Sequence, residues 1–286
     1  NITNIGQLGA SSEAIYAGAP MEPGIVDGNG ANARFNKVIA MATDQSGNLY
    51  VVDVVYTEGS EIEAANSYLR KIDTNSEVTT LLTQDSTSPI GNAVGMAINS
   101  AGDIYISTPT RICRYSSGIL QVVAGSAEPG FADGNGAAAR FSYAQGICLD
   151  PDGNLIIADT LNHVIRKMTP DGTVSTILGQ PGNPGSLDSG NGSTALLEKP
   201  SGVAFDAYGN LIVTNFRGIR KATPEGLVKT IYGFSEPITT SVPLEQESCI
   251  VLSTPQPELS LIIRSYPRGF GYVSLVPVRD SWQSGY

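Results

Sequence analysis

The chain has 286 residues, 41% of them hydrophobic, enough to bury a sizeable core in one large β domain or two small ones. Its formal charge of −10, with no Lys/Arg cluster to offset it, excludes a phosphate backbone as an expected partner, so no nucleic-acid ligand is foreseen. No apolar run reaches transmembrane length, so membrane insertion is not expected, and the 32 glycines and 17 prolines call for many tight turns.

In chain order, the first predicted element is a short strand over residues 14–18, AIYAG, which matches Leu120 to Gly125. A linker, PGIVDGNGANARF, then leads from Pro23 to Phe35. The first module spans about residues 36–85 and reads IAMATDQSGNLYVVD, an insertion from Val54 to Ser67, then YLRKIDTNSEVTTLLTQ. A second module, 90–125, contains GMAINSAGDIYISTPTRICRYSSGILQVVAG. The third, 142–180, contains GICLDPDGNLIIADTLNHVIRKMTPDGTVSTILGQ, and the fourth, 200–233, contains GVAFDAYGNLIVTNFRGIRKATPEGLVKTIYG. A worn fifth copy occupies 247–286. The turn glycines Gly47, Gly102, Gly153 and Gly209 recur at intervals of 55, 51 and 56 residues, a period that signals radially repeated sheets.

Each module divides into four strands, a to d. In the third, strand a is Gly146 to Asp150, b is Leu155 to Asp159, c is His163 to Met168 and d is Val174 to Leu178. Pro151-Asp152-Gly153 is a turn for three separate reasons: Pro fixes φ, Asp bonds its own backbone, and Gly accepts positive φ. Strand b is apolar throughout rather than alternating, so both its faces must be covered. The expected fold is therefore all-β: a β-propeller of four-stranded antiparallel blades forming one domain over residues 1–286, with a five- or six-bladed ring closed by strand 14–18.

At these residues the chain resembles the NHL-repeat β-propeller family. The third copy carries the family signature as Gly146-Ile147, Asp150, Gly153-Asn154, Ala158-Asp159, Asn162-His163 and Ile165-Arg166-Lys167. The fourth keeps Arg220-Lys221 but has Asn215 at the place of Asp159 and Arg217-Gly218 at the Asn-His pair. Six blades is the number the resemblance implies. It does not imply one function, because function lies in sites grafted onto the fold.

In a four-stranded meander the a–b and c–d turns share one face, while the longer b–c loops and d-to-a linkers share the other, the expected binding face. The linker motif repeats: Asp27 and Asn29 are echoed by Asp133 and Asn135, and more loosely by Asp188 and Asn191. These oxygens could hold a calcium ion or sugar hydroxyls; alternatively the segment is an Asx turn entering a short Ala-rich helical turn, with Phe35 and Phe141 as plugs between blades. Glu58, Glu61 and Glu63 in the first module's insertion would make this face acidic and suited to a cationic partner, or would simply form a solvated loop.

His163 is the sole histidine. The resemblance extends to amidating lyases that bind zinc with several histidines, which this chain cannot supply. A Ser-His-Asp arrangement would require His163 on the open face. Cys113, Cys148 and Cys249 each sit in an apolar run and read as small buried hydrophobes, the alternative being one disulfide and a spare thiol. Asn1 and Asn191 open N-glycosylation sequons, relevant in a secreted protein. The chain opens on Asn1 without methionine, so a processed chain or a piece of a larger polypeptide is expected. These features point to a non-catalytic extracellular or cell-surface domain binding a protein or glycan without a cofactor other than candidate calcium. The alternative is a propeller-type lyase or hydrolase with a metal in the central channel.

Overall fold

Antiparallel pairing of short apolar runs builds nearly all of the described chain. The computed structural model describes residues 16–56, 64–85, 89–216 and 218–233, together with the strand residues 252–253, 259–265 and 271–277. The first sheet joins β1 (Gly28–Asn29), β2 (Lys37–Thr43), β3 (Leu49–Tyr56), β4 (Ala64–Ile72) and β5 (Glu77–Asp85) in the order β1-β5-β4-β3-β2. The second has β6 (Gly95–Ile98), β7 (Ile104–Ser107), β8 (Arg111–Ser116) and β9 (Ile119–Gly125) in chain order. The third joins β10 (Gly134–Asn135), β11 (Ala144–Leu149), β12 (Leu155–Asp159), β13 (Val164–Met168) and β14 (Thr173–Gly179) in the order β10-β14-β13-β12-β11. The fourth has β15 (Gly202–Phe205), β16 (Leu211–Asn215), β17 (Gly218–Ala222) and β18 (Val228–Gly233), and the fifth β19 (Leu252–Ser253), β20 (Leu259–Ser265) and β21 (Gly271–Pro277).

Turn chemistry fixes the hairpins. Asp150 Oδ1 accepts the backbone N–H of Asp152 and of Asn154, and Gly153 takes φ +82°, a region other residues enter at a cost. Asp44, Asn99 and Asp206 do the same work ahead of Gly47, Gly102 and Gly209. Register then follows, with Ile157 opposite both Ile147 and Arg166.

The first strands β2, β6, β11 and β15 contact one another in series, so they lie innermost and β5, β9, β14 and β18 outermost. The cores lie between sheets. Val52 and Leu69 of the first sheet pack with Ile106 and Cys113 of the second. Tyr105 and Ile112 pack with Leu155 and Ile157 of the third, and Ile156 and Ile165 with Leu211 and Val213 of the fourth. Every residue of β12 is buried, as its unbroken apolar run requires.

Two local expectations differ from what is seen. Of the strand expected at 14–18, Ala14 and Ile15 lie outside the described residues, and Tyr16 to Gly18 form no strand. Instead the Tyr16 hydroxyl donates to the Asp73 carbonyl, Ala17 packs with Leu49 and Ile72, and Gly18 at φ +97° donates to the Gly30 carbonyl. The insertion from Val54 to Ser67 is not loop throughout. Its β-branched and aromatic start lengthens the hairpin, pairing Val54 with Ser67 and Val55 with Asn66. Glu58, Glu61 and Glu63 lie outside the described residues, as do Asn1, Cys249 and residues 278–286 of the fifth copy. Among the described residues no helix is long and apolar enough to cross a membrane.

Candidate functional site

The repeated linker is an external clip. Ahead of the third sheet it leaves β9, descends along the outer edge of β14, makes one 3-10 turn at Gly136–Ala138, and returns toward β11. Gly134 and Asn135 pair with Val174 and Thr173, and Ala132 bridges Arg140 across the returning arm. Asp133 accepts from the Arg166 guanidinium at 2.6 Å and from the Thr176 backbone N–H at 3.2 Å and hydroxyl at 3.1 Å. Arg166 is fully buried and donates also to Asp159 at 2.8 Å and to the carbonyls of Ala132 and Arg140, while its plane lies 4.7 Å from the Phe131 ring. All of this satisfies a buried cation from several sides at once.

The first sheet repeats the arrangement. Arg70 bonds Asp27 at 3.0 Å, Asp53 at 3.1 Å and the carbonyls of Val26 and Arg34, and lies 4.5 Å from the Phe35 ring, while Asp27 also takes both donors of Thr80. In the fourth sheet Arg220 bonds Asp188 at 2.9 Å and the carbonyls of Leu187 and Leu196, with Thr230 completing the carboxylate. Here Asn215 replaces the second aspartate; its Nδ2 and Arg220 Nε are buried without a hydrogen-bond partner.

Among the described residues the second sheet has no such clip. Thr108, Cys113 and Val122 fall where the third sheet has Asp159, Arg166 and Thr176, and only residues 86–94 separate β5 from β6. Cys113 is thus the apolar stand-in for a buried arginine. Burial pushes its thiol, and that of Cys148, up to about 12, and both are free.

The structure accordingly gives Asp27, Asp133 and Asp188 arginine and threonine partners at the periphery rather than gathering them into one ring. Burial opposes ionisation of Asp27 and Asp188, yet the Thr80 and Thr230 donors and the adjacent guanidiniums hold both below the usual carboxylate range. Asp53 is buried deeply enough that desolvation outweighs Arg70 and two backbone donors, raising it to about 6. Asn29 and Asn135 reach the c–d turns, donating to the carbonyls of Asn75 and Asp171, on the side opposite the b–c loops where the sequence had suggested them. The reason is that the linker folds down the sheet edge instead of crossing the loop-rich face. Exposed Asn191 caps the 3-10 turn Gly192–Thr194, accepting the Ser193 N–H.

Sequence reasoning missed a second set of residues, on the loop-rich face. Lys37, Tyr143 and Lys199 stand at matching places where an innermost strand begins. The Lys37 ammonium sits 4.6 Å from the Tyr56 ring and that of Lys199 5.6 Å from the Phe216 ring. Burial raises the Tyr56 hydroxyl, and the nearby Tyr143 raises it further. Tyr143, Leu161 and Phe216 keep 40%, 51% and 60% of their surface in water. Tyr143 and Lys199 both hold left-handed backbones, φ 63° and 46°. His163 belongs to this rim: its Nδ1 accepts the Lys199 N–H at 3.0 Å, tying the third sheet to the fourth. Among the described residues no group of three or more His, Cys, Asp or Glu side chains could hold a metal ion.

Residues 141–168 match the NHL repeat. No curated protein matches the chain in sequence. Among solved structures, an auxiliary nutrient binding protein from Bacteroides thetaiotaomicron is similar at 21% identity and TM-score 0.48 over 65% of this chain, which spans only 46% of that protein's length. Virginiamycin B lyase from Staphylococcus aureus is similar at 15% identity and TM-score 0.49, over 85% of this chain and 70% of the other. A streptogramin B lyase is similar at 13% identity and TM-score 0.49, over 90% and 73% of the two chains. With its signature turn, buried arginine and His163 all inside the matched segment, this chain carries the NHL repeat.

Proposed function

We propose that the protein is a non-catalytic interaction domain of the extracellular space or cell surface, with a five- or six-bladed propeller presenting its loop-rich face to a protein or glycan. The carrying observation is the exposed rim of Tyr143, Leu161 and Phe216 beside Lys37 and Lys199, held on constrained backbone around the innermost strands. Rigid aromatic surface with a few polar groups suits recognition and loses little entropy on binding. Glu58, Glu61 and Glu63, which the sequence assigns to the insertion between strands b and c, would add an acidic flank for a cationic group on this reading. The exposed sequon at Asn191 is compatible with a glycoprotein.

A glycan array and a panel of extracellular proteins probed with the full chain would test this. Retention should fall at least tenfold for the Tyr143→Ala, Phe216→Ala double variant, and for Glu58, Glu61 and Glu63 changed together to Gln when the partner is cationic. Retention unchanged in both sets would overturn the choice of face. Elemental analysis supplies the second arm: a stoichiometric metal in the purified protein would replace this reading with the lyase or hydrolase.

A further inference from the structure

The outer edges of the sheets are treated unequally. In the first and third sheets the linker lays a two-residue strand against β5 and β14, and in the fourth it adds a bridge from Ser189 to Val228. Among the described residues nothing pairs with the outer edge of β9 in the second sheet. The unpaired stretch begins at Ile119, at the places taken in the third sheet by Thr173 to Thr176, while the 3-10 turn Gly136–Ala138 packs against β9 near Val123. Ile119 and Val122 are 58% and 45% exposed there, and no residue of Ile119–Gly125 is charged. An uncharged apolar edge strand without lysine or proline is what soluble proteins ordinarily avoid.

The substitutions behind this edge remove every group that would hold an acidic clip. Cys113 stands for the arginine, Thr108 for the inner aspartate and Val122 for the threonine that closes the carboxylate. A strand seated here must therefore be neutral and apolar, and β9 itself meets that description. Two copies of β9 running antiparallel about a two-fold axis bring no like charges together, whereas β5 would oppose Glu77 to Asp85.

We propose that β9 is a dimerisation edge, pairing with β9 of a second copy to make one continuous sheet across the two-fold. Sedimentation velocity on the full chain over a hundredfold concentration range should show a monomer–dimer equilibrium, with hydrogen exchange at Ile119–Val123 slowing as the dimer fills. Val122→Lys should raise the dissociation constant at least tenfold by setting ammonium groups against each other, and Gln121→Glu should do the same with carboxylates if the first variant misfolds. Ile177→Lys, on the clipped outer strand of the third sheet, should leave it unchanged. A monomer at every concentration would overturn the proposal, as would a dimer indifferent to both β9 variants.

Discussion

Arg166 lies 2.8 Å from Asp159, and neither side chain retains any exposed surface. Removing one member strands the other's charge, which costs about 3–5 kcal/mol. Arg166→Ala should lower urea stability by that amount. The triple change Asp159→Thr, Arg166→Cys, Thr176→Val installs the second sheet's own solution and should cost clearly less than the single change. Equal losses in urea unfolding would mean that the second sheet's residues work only with its short linker.

Asn215 leaves the fourth sheet's network one carboxylate short, with Nδ2 unpartnered beside Arg220. Asn215→Asp would recreate the pair seen in the first and third sheets. Relieving an unsatisfied buried donor next to a cation should add about 1 kcal/mol at pH 7, measured by the urea midpoint at constant slope.

His163 is the only histidine, so its titration can be followed without assignment doubt. Burial lowers its pKa, nearby Lys199 lowers it further, and Glu198 opposes both. Its folded pKa thus lies below that of the unfolded chain, near 6.5. The stability it contributes is complete above pH 6.5 and is lost as pH falls through the folded value, where protonation of Nδ1 also ends acceptance from Lys199. The imidazole NMR signal should titrate below 6.5 in the native protein; a midpoint above that value would contradict this arrangement.

Gly153 and Gly125 both hold left-handed backbones, φ 82° and 89°, but only one is crowded. A Cβ at Gly153 meets nothing within 4 Å, so Gly153→Ala should cost the backbone term alone, about 1 kcal/mol. At Gly125 it would stand 2.2 Å from the Thr110 carbonyl oxygen and 2.9 Å from the Arg111 Cα. Gly125→Ala should reduce thermal stability several times more, and equal shifts would count against the close approach of these strands.

The sheets were legible because their signals are local. Pro-Asp-Gly turns, anchor glycines about a blade apart and the unbroken apolar run Leu155 to Ala158 each act within a few residues. The linker's course was not, because it depends on partners far along the chain. Asp133 meets Arg166 and Thr176, 33 and 43 residues away, a link visible only once the copies are aligned strand by strand. That alignment also holds the one available clue: where the linker is short, the arginine becomes Cys113 and the threonine Val122 together. The loop-rich rim escaped notice for a different reason. Tyr143 and Phe216 gain meaning from the neighbours that stacking supplies, and no spacing within one module hints at them.

Because each clip precedes the sheet that it locks, the smallest piece of this molecule that keeps such an ion pair whole is a sheet together with the stretch before it. Asp133 would be cut from Arg166 by any boundary drawn between them, as Asp27 would be from Arg70. Grafting, truncating or permuting the chain between a clip and its sheet would therefore expose the buried guanidinium of Arg70, Arg166 or Arg220, and a duplication that keeps the third sheet's clip has to copy from about Pro129 through Gly179 as a single block.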